Sequence, residues 1–459
     1  MSTRFADSAV YAHLWGSDEV RAIFEEDARL CDWLAILAAL ATAQADLGII
    51  PRAAAAAIAP EALAGHLDVD LMAAETRRTG HSMLGLIRAL QAVLPPEAGE
   101  FVYYGATVQD VTDTWTALCV RRVGALVWRQ VRALEGELLD LADAHRETVM
   151  AGRTHGQIGS PITFGLKVAS WADELRRHLD RLREGAPRWL VGQLGGGVGT
   201  LAIFGPQGLA LRARFCERLG LGDPGVPWLA ARDRVAEFAH LLAMVTATLA
   251  RMGNEVYQLQ RPEIAELCEP ALPDAVSSIT MPHKRNPEAA EHLVTLARLA
   301  RLQASGLLEG MVAEHERDGR AWKAEWVTFP EVCLLTGAAL ATAGRLVAGL
   351  EVSPIAMAAS LAATRDYAAS EAVLAALAPK VGKHRAQTAL QAALARGLAT
   401  GVDLDQALGT ADASMRDALT PERQRQILAG PDAGSAAAMV EAALSRARAA
   451  RAKEADTWP

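Results

Sequence analysis

Between Thr112 and Leu350 the sequence carries long stretches of helical periodicity, near residues 112–147, 161–186, 229–266, 287–312 and 328–350, separated by turns marked with glycine or proline. At about 1.5 Å of rise per residue, a stretch of more than thirty residues runs roughly 50 Å. That length suits a bundle of long helices, not a compact globule. Polar faces such as Asp173-Glu174-Arg176-Arg177 alternate with apolar ones, yet leucine and alanine are so abundant that some helices need cover on several sides. Association of subunits is the natural way to supply it. The chain is 51% hydrophobic but only 5% aromatic, and runs of valine, isoleucine and threonine are scarce, so the expected fold class is all-α.

The flanks are built from shorter pieces. Ser17-Asp18-Glu19 is a good helix start, and apolar positions then recur through Ile23, Leu30, Leu34, Leu37 and Leu40 until Gly48 and Pro51. Pro95-Pro96 and Phe101-Val102-Tyr103-Tyr104-Gly105 break the pattern. We therefore expect an N-terminal helical domain over 1–110, a central long-helix bundle over 111–351 and a small C-terminal helical domain over 352–459. The last ends in the arginine- and alanine-rich run 446–453, which reads as a fraying tail. Gly195-Gly196-Gly197-Val198-Gly199 lacks the Lys-Ser/Thr of a phosphate loop and reads as a bend between helices.

The charge, 46 basic against 54 acidic residues for a net −8, offers no field for nucleic acid or an anionic membrane. The five cysteines, Cys31, Cys119, Cys216, Cys268 and Cys333, are scattered without metal-binding spacing, which fits a reduced cytoplasmic setting and predicts no metal. The opening residues lack the apolar core of a signal peptide, and no apolar run is read as long enough to span a bilayer, so no membrane partner is expected.

Residues 277–287, Ser-Ser-Ile-Thr-Met-Pro-His-Lys-Arg-Asn-Pro, hold the densest chemistry. Lys284 supplies charge, Asn286 a planar amide donor, and a helix starting at Pro287 would present free backbone N–H groups and the positive end of its dipole. Those ingredients suit a carboxylate, with Ser278 beside it. Any four of these residues would be read as a solvated loop. The whole string resembles the signature of the fumarase/aspartase superfamily, Gly-Ser-Ser-x-Met-Pro-x-Lys-x-Asn-Pro. Anchored on Met281-Pro282, the family's catalytic serine falls on Ser278, while Ser277 replaces the usual glycine and Ile279 the second serine.

Two further strings follow the family's order. Gly152-Arg153-Thr154-His155-Gly156-Gln157, which lies between two expected helices, resembles the Thr-His motif set against the substrate carboxylate. Gly105-Ala106-Thr107-Val108-Gln109-Asp110 resembles the first family motif, whose hydroxyl and amide groups bind substrate. The resemblance implies that Thr107, Gln109, Thr154, Gln157, Lys284, Asn286 and Arg320 contact substrate, and that Glu291 pairs with His155. It also implies a homotetramer whose sites are each assembled from three chains, acting on a small dicarboxylate or tricarboxylate with no organic cofactor. His81 lies in a segment, Glu75–Leu84, that aligns without gaps to the part of adenylosuccinate lyases carrying their proposed general acid, although Ser82 stands where those enzymes have aspartate.

The segment 314–326 bears on substrate class. Adenylosuccinate lyases resemble it up to Asp318 and then show serines and an arginine that hold a nucleotide phosphate; here those places are Trp322, Lys323 and Trp326. Indoles in place of hydroxyls and a guanidinium make a purine nucleotide a poor fit. The Trp-x-Ala-Glu-Trp string and the segment 232–238 instead look like bacterial 3-carboxy-cis,cis-muconate cycloisomerases, which typically carry Thr-Trp-Leu-Gln where this chain has Thr154-His155-Gly156-Gln157. The leading expectation is a carbon–nitrogen lyase: Ser278 removes a proton from an N-substituted, amino- or nitro-succinate to give fumarate, and His155 or His81 serves the leaving group. A lactonising cycloisomerase is the alternative, and a catalytically silent helical oligomer a third reading.

Overall fold

The computed structural model describes residues 4–62, 67–271, 276–411 and 413–458. Helix accounts for 69% of the chain and strand for 4%, which makes the architecture all-α. The long helices are Val108–Ala144, Phe164–Trp189, Asp233–Leu259, Glu288–Glu309 and Gly319–Ala348. At 37 residues the first runs about 55 Å. The last begins earlier than its apolar periodicity indicates, because Asp318 caps it by accepting from Arg320 N at 3.0 Å. The Trp-x-Ala-Glu-Trp string is therefore helical.

One continuous core runs from Val20 through the five long helices to Trp458, so residues 20–110 share their apolar interior with the bundle. A second, smaller core collects Val373, Leu377, Leu390, Leu404, Leu408 and Met415. The tail does not fray. Helix Ala436–Arg451 places Val440 and Leu444 in the main core, and Trp458 is buried with its indole N–H donating to Leu182 O at 3.1 Å. One arginine of the run that reads as solvated, Arg451, has a buried partner. Arg451 donates to Glu135 at 2.8 Å and to Arg132 O at 2.6 Å, while Glu454 accepts from Arg132 at 2.8 Å and also pairs with Arg176.

Two small strand pairs interrupt the helices. Val149–Thr154 and Gln157–Thr163 form an antiparallel hairpin, and Leu267–Cys268 pairs with Glu351–Val352. The glycine run at 195–199 is a bend, and its first two amides serve a carboxylate: Gly195 N and Gly196 N donate to Asp110 at 2.8 and 3.0 Å. The expectation about apolar length needs correction. Glu26–Asp46, Asp233–Leu259 and Gly319–Ala348 are each long and apolar enough to cross a membrane by length and composition. Between 56% and 72% of their most apolar windows is buried against other helices, which explains why bundle-core helices reach that hydropathy.

Candidate active site

Three segments carry the expected site residues, and each is fixed by a different local device. The first is the start of helix Val108–Ala144. Thr107 is extended (φ −116°, ψ 163°), and its N–H donates to the Asp110 carboxylate at 2.9 Å, which sets the helix entry. Burial pushes the Asp110 carboxyl up to about 7, against the opposing effect of the backbone N–H groups it accepts from. The Thr107 hydroxyl accepts from the Arg317 guanidinium, and Tyr103, in left-handed backbone (φ 63°), lies against the same pair. Gln109 does not open to this cluster. It is fully buried, and its amide donates to Leu229 O at 2.6 Å, so in this conformation it ties the motif helix to the segment before Arg232.

The second segment, expected to lie between two helices, is the hairpin Val149–Thr163. Thr154 pairs with Gln157, leaving His155-Gly156 as a two-residue turn with φ of 53° and 76°. Positive φ at both positions is the backbone that twisted strands require, and Gly156 provides it without steric cost. Thr154, His155 and Gln157 are all exposed at the tip. The hairpin is anchored close to its tip, where Arg153 binds the fully buried Glu266 carboxylate through two hydrogen bonds of 2.9 and 2.6 Å.

The third segment is the signature string. Ser278 is half-buried, and its Oγ accepts from Met281 N at 3.0 Å. Asn286 is not an open donor. Its side-chain amide donates to Ser277 O at 2.8 Å and to Glu288 at 3.1 Å, and its backbone N–H donates to Ser277 Oγ, which staples the two ends of the loop. The following helix start is also occupied: Ala289 N and Ala290 N donate to the Glu269 carboxylate at 3.0 and 2.6 Å. The anion expected at that helix terminus is thus supplied by the protein itself. Glu269 is mostly buried, and desolvation raises its pKa while the two amides oppose the shift. Arg285 donates to Glu269 O at 2.8 Å and to Glu351 at 3.0 Å, and Gln260 bridges Glu269 N and Arg285 O. Lys284, exposed and unpaired among the described residues, is the open cation of the loop.

Within one chain the hairpin and the signature loop are neighbours through Glu266 and Glu269, but their candidate catalytic groups are not joined. No hydrogen bond or ion pair among the described residues joins His155 to Glu291, or either of them to Ser278, and Glu291 is exposed. His81 is also exposed, and its Nδ1 accepts from Met83 N and Leu84 N at 3.3 and 3.2 Å, capping helix Leu84–Val93. Nδ1 in that role carries no proton, which leaves the neutral ring's proton on Nε2. Arg320 is neutralised by Asp318 at 2.6 Å and Glu314 at 3.0 Å. Arg317 has no carboxylate partner among the described residues, so it, not Arg320, is the cation positioned at Thr107. It lies in the quoted string 314–326, but residue type alone does not separate it from Arg320.

The two cycloisomerase-like strings meet in the interior. Arg232 donates twice to Asp113, at 2.8 and 3.0 Å, and to Glu325 at 2.8 Å through Nε and again through Nη2, while its guanidinium stands 5.1 Å from the Trp228 ring. Asp113 is raised to about 6 by burial, with the charge of Glu325 adding and that of Arg232 opposing. The triad locks helix Val108–Ala144 to helix Gly319–Ala348, holding the Thr107 and Arg317 ends of those helices together.

A family model described as a lyase, Lyase_1, matches residues 14–301. The chain is 40% identical to the N-acetyl-S-(2-succino)cysteine lyase of Dickeya dadantii over 386 residues, 84% of this chain and 85% of that protein. It is 38% identical to the 3-carboxy-cis,cis-muconate cycloisomerase of Pseudomonas aeruginosa over 429 residues, 93% of this chain and 94% of the relative. Among solved structures, the 3-carboxy-cis,cis-muconate lactonizing enzyme from Pseudomonas putida matches with a TM-score of 0.87 at 33% identity, covering 96% of this chain and 99% of that one.

Proposed function

The chain belongs to the fumarase/aspartase superfamily of lyases, and on that premise we propose that it eliminates a heteroatom-linked group from C2 of a substituted succinate to give fumarate. The observation that carries this reading is the conjunction of two presented groups. One is a serine whose oxygen faces a backbone donor in the signature loop; the other is an imidazole at a hairpin tip. Ser278 Oγ takes the C3 proton, the electron pair forms the C2–C3 double bond, and the bond from C2 to the heteroatom breaks. The Met281 N–H at 3.0 Å favours the deprotonated hydroxyl, a preference that strengthens once water leaves the closed loop. Charge accumulating on the adjacent carboxylate is met by Lys284 and by the Arg317–Thr107 pair. The departing group takes its proton at His155, oriented by Glu291, or at His81 Nε2.

The resemblance of segment Glu75–Leu84 to adenylosuccinate lyases supports nitrogen as the departing atom, and the Dickeya relative, an N-acetyl-S-(2-succino)cysteine lyase, supports sulfur. Both give fumarate, and both fit the same proton abstraction. Because the candidate catalytic groups are not joined within one chain and the family resemblance implies a homotetramer, the working site is read as assembled from three subunits. A mixture of two differently disabled variants, Ser278→Ala and His155→Gln, then regains activity; no recovery at all would count against shared sites.

A second reading, lactonisation of 3-carboxy-cis,cis-muconate, is favoured by the near full-length likeness to the cycloisomerases. A panel of N- and S-substituted succinates followed by fumarate absorbance, run beside consumption of 3-carboxy-cis,cis-muconate, tests the choice. Fumarate release supports the lyase. Turnover of the muconate alone would overturn it.

A further inference from the structure

A cavity of about 780 Å³ opens between helix Glu26–Asp46, helix Val69–Thr79, the loop at Ser82 and the two helices locked by Arg232. Ser82 is the neighbour of His81, and Thr112 and Asp113 lie within two turns of Thr107, so the cavity adjoins the candidate site. Four of the ten tryptophans in the chain line it: Trp33, Trp115, Trp322 and Trp326. Trp322 and Trp326 stand edge to face at 5.0 Å and Trp33 and Trp115 at 6.2 Å. A wall of that kind takes an apolar or aromatic body.

Its polar groups are one-sided. The carboxylates of the wall are already matched: Asp113 and Glu325 by Arg232, Glu26 by Arg29 at 3.1 Å, Glu331 and Asp7 by Arg4. The unmatched groups are donors. Arg77 makes no ion pair or hydrogen bond among the described residues, and the indole N–H groups of Trp33 and Trp115 and the hydroxyl of Thr112 are buried without a partner. The three buried atoms have no accessible surface and do not face the cavity, so Arg77 is the open, uncompensated group of the wall, and it calls for an acceptor from outside the chain.

We infer that this cavity receives the leaving group, and that the leaving group is an amine or thiol carrying an apolar or aryl body with one carboxylate or carbonyl. The inference rests on the lyase reading for its chemistry, but the cavity's ligand class is testable without turnover. The binding probe is 4-carboxybenzylamine, titrated against tryptophan emission of the whole enzyme. The turnover pair is aspartate and N-(4-carboxybenzyl)aspartate, followed by fumarate.

Saturable quenching is expected, with Kd weakened at least about tenfold, equivalent to about 1.4 kcal/mol, in both Arg77→Gln and Trp326→Leu. The parent enzyme should prefer the carboxybenzyl substrate in kcat/KM, and that preference should fall about tenfold in each variant. Quenching that is unsaturable, or equal in parent and variants, overturns the inference, as does a parent enzyme that prefers aspartate. Variant-sensitive quenching with no fumarate from any succinate keeps the cavity assignment and overturns the lyase reading instead.

Discussion

Replacing Arg232 by methionine isolates what the interior triad contributes. The guanidinium is 2% exposed and sits between two carboxylates that are nearly as buried, making two hydrogen bonds to each. Methionine fills much of the space but leaves Asp113 and Glu325 facing each other with no counter-charge. Breaking a buried pair in this way costs about 3–5 kcal/mol, because the stranded charge, not the lost attraction, dominates. In urea, with the steep slope of a 459-residue chain, that corresponds to a midpoint lowered by up to roughly 1 M.

The deficit should also depend on pH in a fixed direction. Asp113 is raised from 3.8 to about 6 by burial, and a raised carboxyl favours folding at low pH and loses that contribution as pH climbs from about 4 to about 6. Without Arg232 the shift grows and the window extends upward, so Arg232→Met should recover part of its loss between pH 7.5 and pH 5. Adding Asp113→Asn and Glu325→Gln should restore most of the stability at pH 7.5. Urea unfolding followed by tryptophan emission at both pH values measures this. A loss below about 1 kcal/mol, or one that does not change with pH, would refute the argument that an uncompensated buried charge sets the cost.

Two further outcomes follow from particular contacts. Arg317→Gln should lower kcat/KM for fumarate formation by about 10²-fold, the loss of one charge-assisted contact to a carboxylate, whereas Arg320→Gln should change it less than about threefold because Asp318 and Glu314 already neutralise that side chain. Steady-state kinetics on both variants compares the two. Trp458→Ala should destabilise the fold by about 3–5 kcal/mol in urea, since it empties a buried ring site against Gly124, a result a frayed tail would not give.

The long helices were legible because their apolar positions repeat over many turns, and their ends carry glycine, proline or capping residues. The hairpin at 149–163 was not. Its strands are short, interrupted by glycine and proline, and bulged between Ala151 and Arg153, so neither the helical nor the alternating pattern stands out. His155-Gly156 was the one local signal for it, a two-residue turn ending in glycine. The signature string identified Ser278 and Lys284 as presented groups, but not that Glu269, nineteen residues before the helix it caps, had taken the amides expected for substrate. Contacts of that kind depend on tertiary placement. The same holds for the tail, where an arginine- and alanine-rich sequence is compatible with solvent until Glu135 is known to face it.

The central claim is that the Ser278 oxygen removes the C3 proton. The most direct test is Ser278→Ala assayed for fumarate release and for exchange of the C3 hydrogen of a substrate succinate in deuterated water, with folding checked by urea midpoint. The account predicts an unchanged midpoint and losses of at least about 10²–10⁴-fold in both rates. Turnover or exchange at the parent rate would contradict it.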